Sequence, residues 1–203
     1  MIARNLGLAL MGLIAGAAAA FLLFSGVPQN ITLAKDPAVA GKALVGGAFS
    51  LTNSAGKRVT DKDFLGHPMI VFFGYTHCPD ICPSGLQVIS AALDKLGAKG
   101  QNVTPVFITL DAERDTPEKL SDYVKSFHPR LVGLTGSAEE IAAVAKTYRV
   151  FYQKISDEKS PKDYTFDHAA IIYLMGADGN FITHIPHTTD VDQVVSVLNK
   201  SLS

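Results

Sequence analysis

Met69-Ile70-Val71-Phe72-Phe73-Gly74-Tyr75-Thr76-His77-Cys78-Pro79-Asp80-Ile81-Cys82-Pro83 runs from an unbroken apolar segment into the only two cysteines of the chain. Five apolar residues without alternation, introduced by Pro68, predict a strand buried on both faces. From Pro83 to Leu96 the apolar residues Leu86, Ile89, Ala92, Leu93 and Leu96 recur at helical spacing, and Gly97 supplies the stop. The cysteines therefore fall where a buried strand hands over to a helix. Unpaired backbone N–H groups at such a helix start favour thiolate over thiol. Four apart, the two side chains leave the same side of a turn, so both sulfurs can converge on one partner.

The remaining elements follow from periodicity and punctuation. Ala48 to Leu51 and Lys57 to Thr60 flank Asn53-Ser54-Ala55-Gly56, which predicts an opening hairpin. Thr104 to Leu110 reads as a second core strand. Thr116-Pro117 is an N-cap followed by a first-turn proline, starting a helix that ends near Phe127, before His128-Pro129. Leu131 to Leu134 is a short strand, and Ser137-Ala138-Glu139-Glu140 is a capping box opening a helix to about Arg149. Ala169 to Met175 and Phe181 to His184 bracket the turn Gly176 to Asn180, and Val191 to Leu202 closes the chain as a helix. Strands alternating with helices and ending in a hairpin plus helix describe an α/β sandwich with a mixed central sheet flanked by helices. With a dicysteine at the end of the first core strand, that order resembles a thioredoxin-like fold.

Leu6 to Val27 carries no charge over 22 residues, a helix of about 33 Å, enough to cross a hydrocarbon core. Arg4 lies on one flank and the first cation on the other is Lys35, so the positive-inside rule puts the N-terminus in the cytoplasm and the rest outside it. A cleaved signal peptide is the rival reading, with Ala17 to Ala20 as a peptidase site. Phe21-Leu22-Leu23-Phe24 continues the apolar run past those alanines, which favours an uncleaved anchor. No Arg-rich and Ser-rich leader precedes the span, which argues against a mitochondrial transit peptide. The expected organisation is a membrane anchor at 1–27, a tether at 28–42 and one globular domain at 43–203. The localisation that follows is a bacterial inner membrane, crossed once, with the domain in the periplasm. A net charge of −1 gives no sign of a nucleic-acid or polyanion partner.

One cysteine pair alone is compatible with a structural disulfide, a redox dithiol or two metal ligands. An extracytoplasmic compartment is oxidising and favours the disulfide, but so short a loop constrains the unfolded chain little. His168, in Asp167-His168-Ala169-Ala170-Ile171-Ile172-Tyr173-Leu174, offers a third ligand immediately before the penultimate strand. Together with the cysteine turn, Leu110-Asp111-Ala112-Glu113-Arg114-Asp115-Thr116-Pro117 and Tyr148-Arg149-Val150-Phe151-Tyr152, that segment resembles the Sco/SenC family of copper chaperones. The resemblance covers nearly the whole domain, from about Phe49 to the last helix. It departs mildly at Ala112, where the family often carries a proline or an acidic residue.

The resemblance implies copper bound by Cys78, Cys82 and His168 and delivered to the dinuclear copper centre of cytochrome c oxidase. Its partners would be the copper-bearing oxidase subunit, an upstream copper donor and a thiol reductant. The donor chemistry agrees: two thiolates and one imidazole suit Cu(I), and an open position leaves room for Cu(II). Zinc would want a fourth ligand. The competing reading is a thiol-disulfide oxidoreductase or peroxidase using Cys78 and Cys82 as a redox disulfide. Against it, the turn lacks Cys-x-x-Cys and the strand start lacks proline.

Several residues carry weaker expectations. Asp167 and Asp80 are candidates for supporting groups beside the ligands, set against readings as plain turn residues. His77, His184 and His187 read as surface residues, and Met69 and Met175 as core. Asp111, Arg114 and Asp115 read as an ion-pair network holding a loop. The polar stretch Ser156 to Asp163 reads as an exposed loop that docks the oxidase subunit or becomes ordered with copper.

Overall fold

The computed structural model describes residues 44–157 and 160–202. The expected anchor at 1–27 and tether at 28–42 lie outside the described residues. Among the described residues no helix is long and apolar enough to cross a membrane. Residues 43–203 form one compact unit.

Its elements are β1 (Ser50–Asn53), β2 (Arg58–Thr60), a 3-10 turn (Asp61–Phe64), β3 (Met69–Gly74), α1 (Ile81–Lys95), a one-turn α2 (Ala98–Gln101), β4 (Thr104–Thr109), α3 (Pro117–Lys125), β5 (Val132–Thr135), α4 (Ala138–Thr147), β6 (Tyr152–Asp157), β7 (Ser160–His168), β8 (Ile171–Met175), β9 (Phe181–Pro186) and α5 (Val191–Ser201). Seven strands make one mixed sheet in the order β2-β1-β5-β4-β3-β8-β9, with β3, β4 and β5 parallel and antiparallel pairs on either side. β6 and β7 form a separate two-stranded ribbon.

β3 lies between β4 and β8, and every one of its six residues is buried. Successive side chains on a strand point to opposite faces, and here the two faces meet two cores. Ile70 and Phe72 pack with Leu86, Ile89, Leu93, Phe107, Leu120 and Leu198, under α1, α3 and α5. Met69, Val71 and Phe73 pack with Val106, Ile108, Ile141, Val144, Tyr148 and Met175, under α4. Helices on both sides of a sheet explain why the run Met69–Phe73 shows no polar alternation. The helix signals also act as read: Thr116 accepts from the Lys119 amide, Ser137 and Glu140 form a capping box, and Gly97 turns the chain with φ +56°.

One expectation is corrected. The stretch Ser156 to Asp163 is not a free loop where it is described: Ser156 and Asp157 end β6 and Ser160 to Asp163 begin β7, with Ser156 opposite Tyr164 and Asp157 opposite Ser160. Its polarity conceals the alternation that begins C-terminal to it. Tyr164 is buried and Phe166 and His168 are half-buried, while Asp163, Thr165 and Asp167 are exposed. The one-turn α2 was also unanticipated.

Gly74 ends β3 where the sheet meets the cysteine turn. A Cβ there would lie 2.6 Å from Cys82 Sγ and 2.9 Å from the Phe107 ring. Only glycine leaves room for the sulfur against the strand. Gly74→Ala is expected to destabilise the fold by about 1–3 kcal/mol through overpacking. Urea unfolding of the variant checks this, and an unchanged midpoint contradicts it.

Candidate metal and thiol site

Cys78 lies in the turn after β3, and Cys82 sits in the first turn of α1 with its side chain fully buried against the core. The turn closes on itself through the Cys78 amide, which donates to the Tyr75 carbonyl at 3.2 Å. The Cys82 amide donates to Cys78 Sγ at 3.4 Å. His168 is the last residue of β7, and its Nε2 lies 3.5 Å from Cys82 Sγ across 86 positions of sequence. One ligand atom from each of Cys78, Cys82 and His168 falls within 4.8 Å of the others. Both cysteines are free thiols. Cys78 and His168 border an open cleft between the turn and the ribbon, lined also by Pro79, Ile81 and Phe166.

His168 is held in place by aromatic packing. The Tyr75 ring stands edge-on to His168 at 6.0 Å and to Phe166 at 5.3 Å, so one buried side chain packs on two of the ribbon residues that face inward. A second fastening lies further along the ribbon. The Tyr164 hydroxyl donates to Asp111 Oδ1 at 2.7 Å, and its ring carries Arg114 and Lys154 at 3.6 and 3.7 Å from the centroid. Lys154 also reaches Glu113 at 2.9 Å. These contacts tie β6 and β7 to the segment after β4.

The two sulfurs titrate as a pair. Cys78 is held down to about 3, first because its thiolate accepts a hydrogen bond from Cys82, and further by His168 and by the amides of Cys82 and Asp80, all against the opposing effect of burial. Cys82 is pushed up, first by that same hydrogen bond to Cys78 and then by its burial. Near neutral pH the dithiol therefore carries one proton, kept on the inner sulfur, and the half-exposed outer sulfur is a thiolate at a helix start.

The supporting groups differ from expectation. Asp167 is exposed and lines the same cleft as Cys78 and His168, and no hydrogen bond joins it to the imidazole among the described residues. His168 Nδ1 instead lies 3.3 Å from the Ala169 carbonyl, which is what orients the ring. Asp80 precedes α1 without capping it through its side chain, and acts on Cys78 through its backbone amide. His77 is exposed and hydrogen-bonds Thr76 Oγ1 at 3.1 Å. His184 is exposed and stacks on Phe181. His187 is not a free surface residue: its Nε2 lies 3.2 Å from Ser84 Oγ on α1. Arg114 pairs with Asp111, but Asp115 bonds only hydroxyls and an amide. Tyr75, Phe166 and the Ala169 carbonyl escaped sequence reasoning. The signal for Phe166 was the alternation of Tyr164, Phe166 and His168.

Alkylation by iodoacetamide is expected to modify Cys78 and spare Cys82. An ordinary thiol slows about tenfold per pH unit below roughly 8.5, whereas Cys78 is expected to keep its rate from pH 8 to about pH 5, because its proton is already lost there. Mass-spectrometric mapping of the modified cysteine across that range checks both points.

The SCO1/SenC family model matches residues 37–203. Arabidopsis thaliana ScoI, solved with copper bound, superposes with a TM-score of 0.73 at 47% identity, covering 78% of this chain and 98% of that one. Bradyrhizobium japonicum ScoI, also solved with copper bound, gives a TM-score of 0.70 at 43% identity over 77% and 99% of the two chains. The mitochondrial SCO1 homolog 1 of Arabidopsis thaliana is 46% identical over 177 residues, 87% of this chain and 52% of that protein. This chain spans about half the length of the plant and mammalian relatives it matches. With the family matched over the whole domain and the dithiol–imidazole cluster at the C-terminal end of β3, the chain belongs to the SCO1/SenC family.

Proposed function

We propose that this chain is a membrane-anchored copper chaperone that holds copper through Cys78, Cys82 and His168 and delivers it to the dinuclear copper centre of cytochrome c oxidase. The observation that carries the reading is the convergence of two sulfurs and one imidazole nitrogen within 4.8 Å. The donor set fits the metal: two soft sulfurs and a borderline nitrogen in a low-coordinate arrangement suit Cu(I), and an open cleft admits a further donor for Cu(II). The same opening suits transfer, since a partner's sulfur or imidazole can join the metal before the first ligand leaves. Copper bound in two relatives at 47% and 43% identity supports the assignment, and the Sco family is one of cytochrome c oxidase assembly proteins. The uncharged run Leu6 to Val27 supports a single-pass anchor in a bacterial inner membrane with the domain in the periplasm. The partners are then the copper-bearing oxidase subunit, a copper donor and a thiol reductant. The reductant follows from chemistry, because a disulfide offers no thiolate to a metal.

A second reading rests on the division of labour between the sulfurs. A half-exposed thiolate backed by a buried, protonated thiol is the arrangement of a thiol-disulfide oxidoreductase, which would keep the oxidase's own copper-site cysteines reduced.

Metal stoichiometry with optical and EPR spectra on the native chain and on His168→Ala separates the two. For a chaperone, native protein takes up one copper per chain, and His168→Ala loses more affinity than the roughly 10- to 100-fold that removing a ligand-orienting group costs. Equal uptake with the same spectrum in both proteins overturns the three-ligand site. For an oxidoreductase, disulfide turnover survives His168→Ala largely intact.

A further inference from the structure

The cysteine turn is poorly braced from above. His77, Pro79, Asp80 and Ile81 are all exposed, so little packing holds Thr76 to Ile81 from the solvent side. Its bracing comes from below. Asp115 is wholly buried, and its carboxylate accepts three hydrogen bonds: from the Thr76 amide at 2.9 Å, from Thr76 Oγ1 at 2.6 Å and from Thr109 Oγ1 at 2.5 Å. None of the three comes from α3, the helix that Asp115 precedes by two residues. Thr109 is paired in register with Gly74, so the carboxylate sits under the joint where β3 becomes the turn. Arg114, the adjacent cation, is engaged with Asp111 instead. His77 offers a ring nitrogen within 4.8 Å of the carboxylate but makes no ion pair with it, and a buried carboxylate outside an ion pair is costly unless its hydrogen bonds are made; two of these three are spent on Thr76. Thr76 stands two residues before Cys78.

We propose that Asp115 is a positioning residue for the dithiol: through Thr76 it sets where Cys78 stands relative to Cys82, and so prepares both sulfurs to close on one atom. The inference deepens the proposed function and rests on it only for the identity of the metal. Asp115 touches no ligand atom itself. It acts by limiting the orientations the turn can adopt, which is the part played by groups that hold metal ligands in other sites.

The test uses the full chain and two probes that need both sulfurs: copper, and phenylarsine oxide, whose arsenic takes two thiols and releases water. Three variants are compared after circular dichroism shows that each is folded. Asp115→Ala removes all three hydrogen bonds. Asp115→Asn keeps one oxygen for the Thr76 amide and Thr109, and offers an N–H to Thr76 Oγ1. Thr76→Val removes only the hydroxyl bond and leaves the amide bond in place. Asp115→Ala is expected to bind both probes at least tenfold more weakly and to shift the copper EPR parameters. Asp115→Asn is expected to recover most of the native affinity, and Thr76→Val to fall between native and Asp115→Ala. Native-like binding of both probes by folded Asp115→Ala overturns the proposal. So does an Asn variant no better than Ala, because the effect then lies in the charge and not in the hydrogen-bonded frame. Where Asp115→Ala does not fold, Thr76→Val decides, and native affinity and spectrum there overturn the proposal. If native chain takes up no copper while the arsenical still separates the variants, the copper reading fails and the positioning role stands.

Discussion

A strand with no polar face is the constraint on which the rest of this structure depends. β3 buries both of its sides, one against the layer of α1, α3 and α5 and the other against α4, so it cannot slide or rotate without exposing one core. Its C-terminal end is therefore a fixed point. There the chain must turn abruptly, and Gly74 lets the Cys82 sulfur lie directly on the strand. Cys82 is thus as much a core residue as a functional one; its hydrogen bond to Cys78, and after that its burial, push its titration up. Cys78, four residues earlier, stays at the rim and carries the charge.

The imidazole reaches the sulfurs by a different route. His168 ends a ribbon that is no part of the main sheet, so the sheet's ladder does not itself hold its side chain against the sulfurs. Two side-chain fastenings do. Tyr75 packs edge-on against Phe166 and His168, and Tyr164 docks on Asp111, Arg114 and Lys154. The first fastening originates in the residue directly after Gly74, so the fixed end of β3 governs the histidine as well as the cysteines. A site built from one rigid turn and one separately fastened ribbon suits a protein that must hold an ion and also let it go, as the proposed chaperone role requires.

Much of this was legible in the amino-acid order. The apolar run Met69 to Phe73, the helical spacing from Leu86 to Leu96 and the caps at Thr116 and Ser137 rest on local sterics and hydrogen bonding, which a few neighbouring residues decide. The ribbon was harder to see. Lys154, Ser156 and Asp163 give it a polar look, because a two-stranded ribbon lying on the protein keeps one face in water, and only Tyr164, Phe166 and His168 betray the other.

By itself, the sequence determined the core strands and the main helices, the two thiols at a helix start, and the histidine before a core strand, since each is a property of residues within a few positions of one another. Tertiary structure alone decided that His168 reaches Cys82 across 86 positions, that the proton stays on Cys82 and leaves Cys78 charged, and that Asp115 lies beneath Thr76. Those outcomes depend on distances of a few ångströms between segments remote in the chain. Such distances arise only when both faces of β3 are packed.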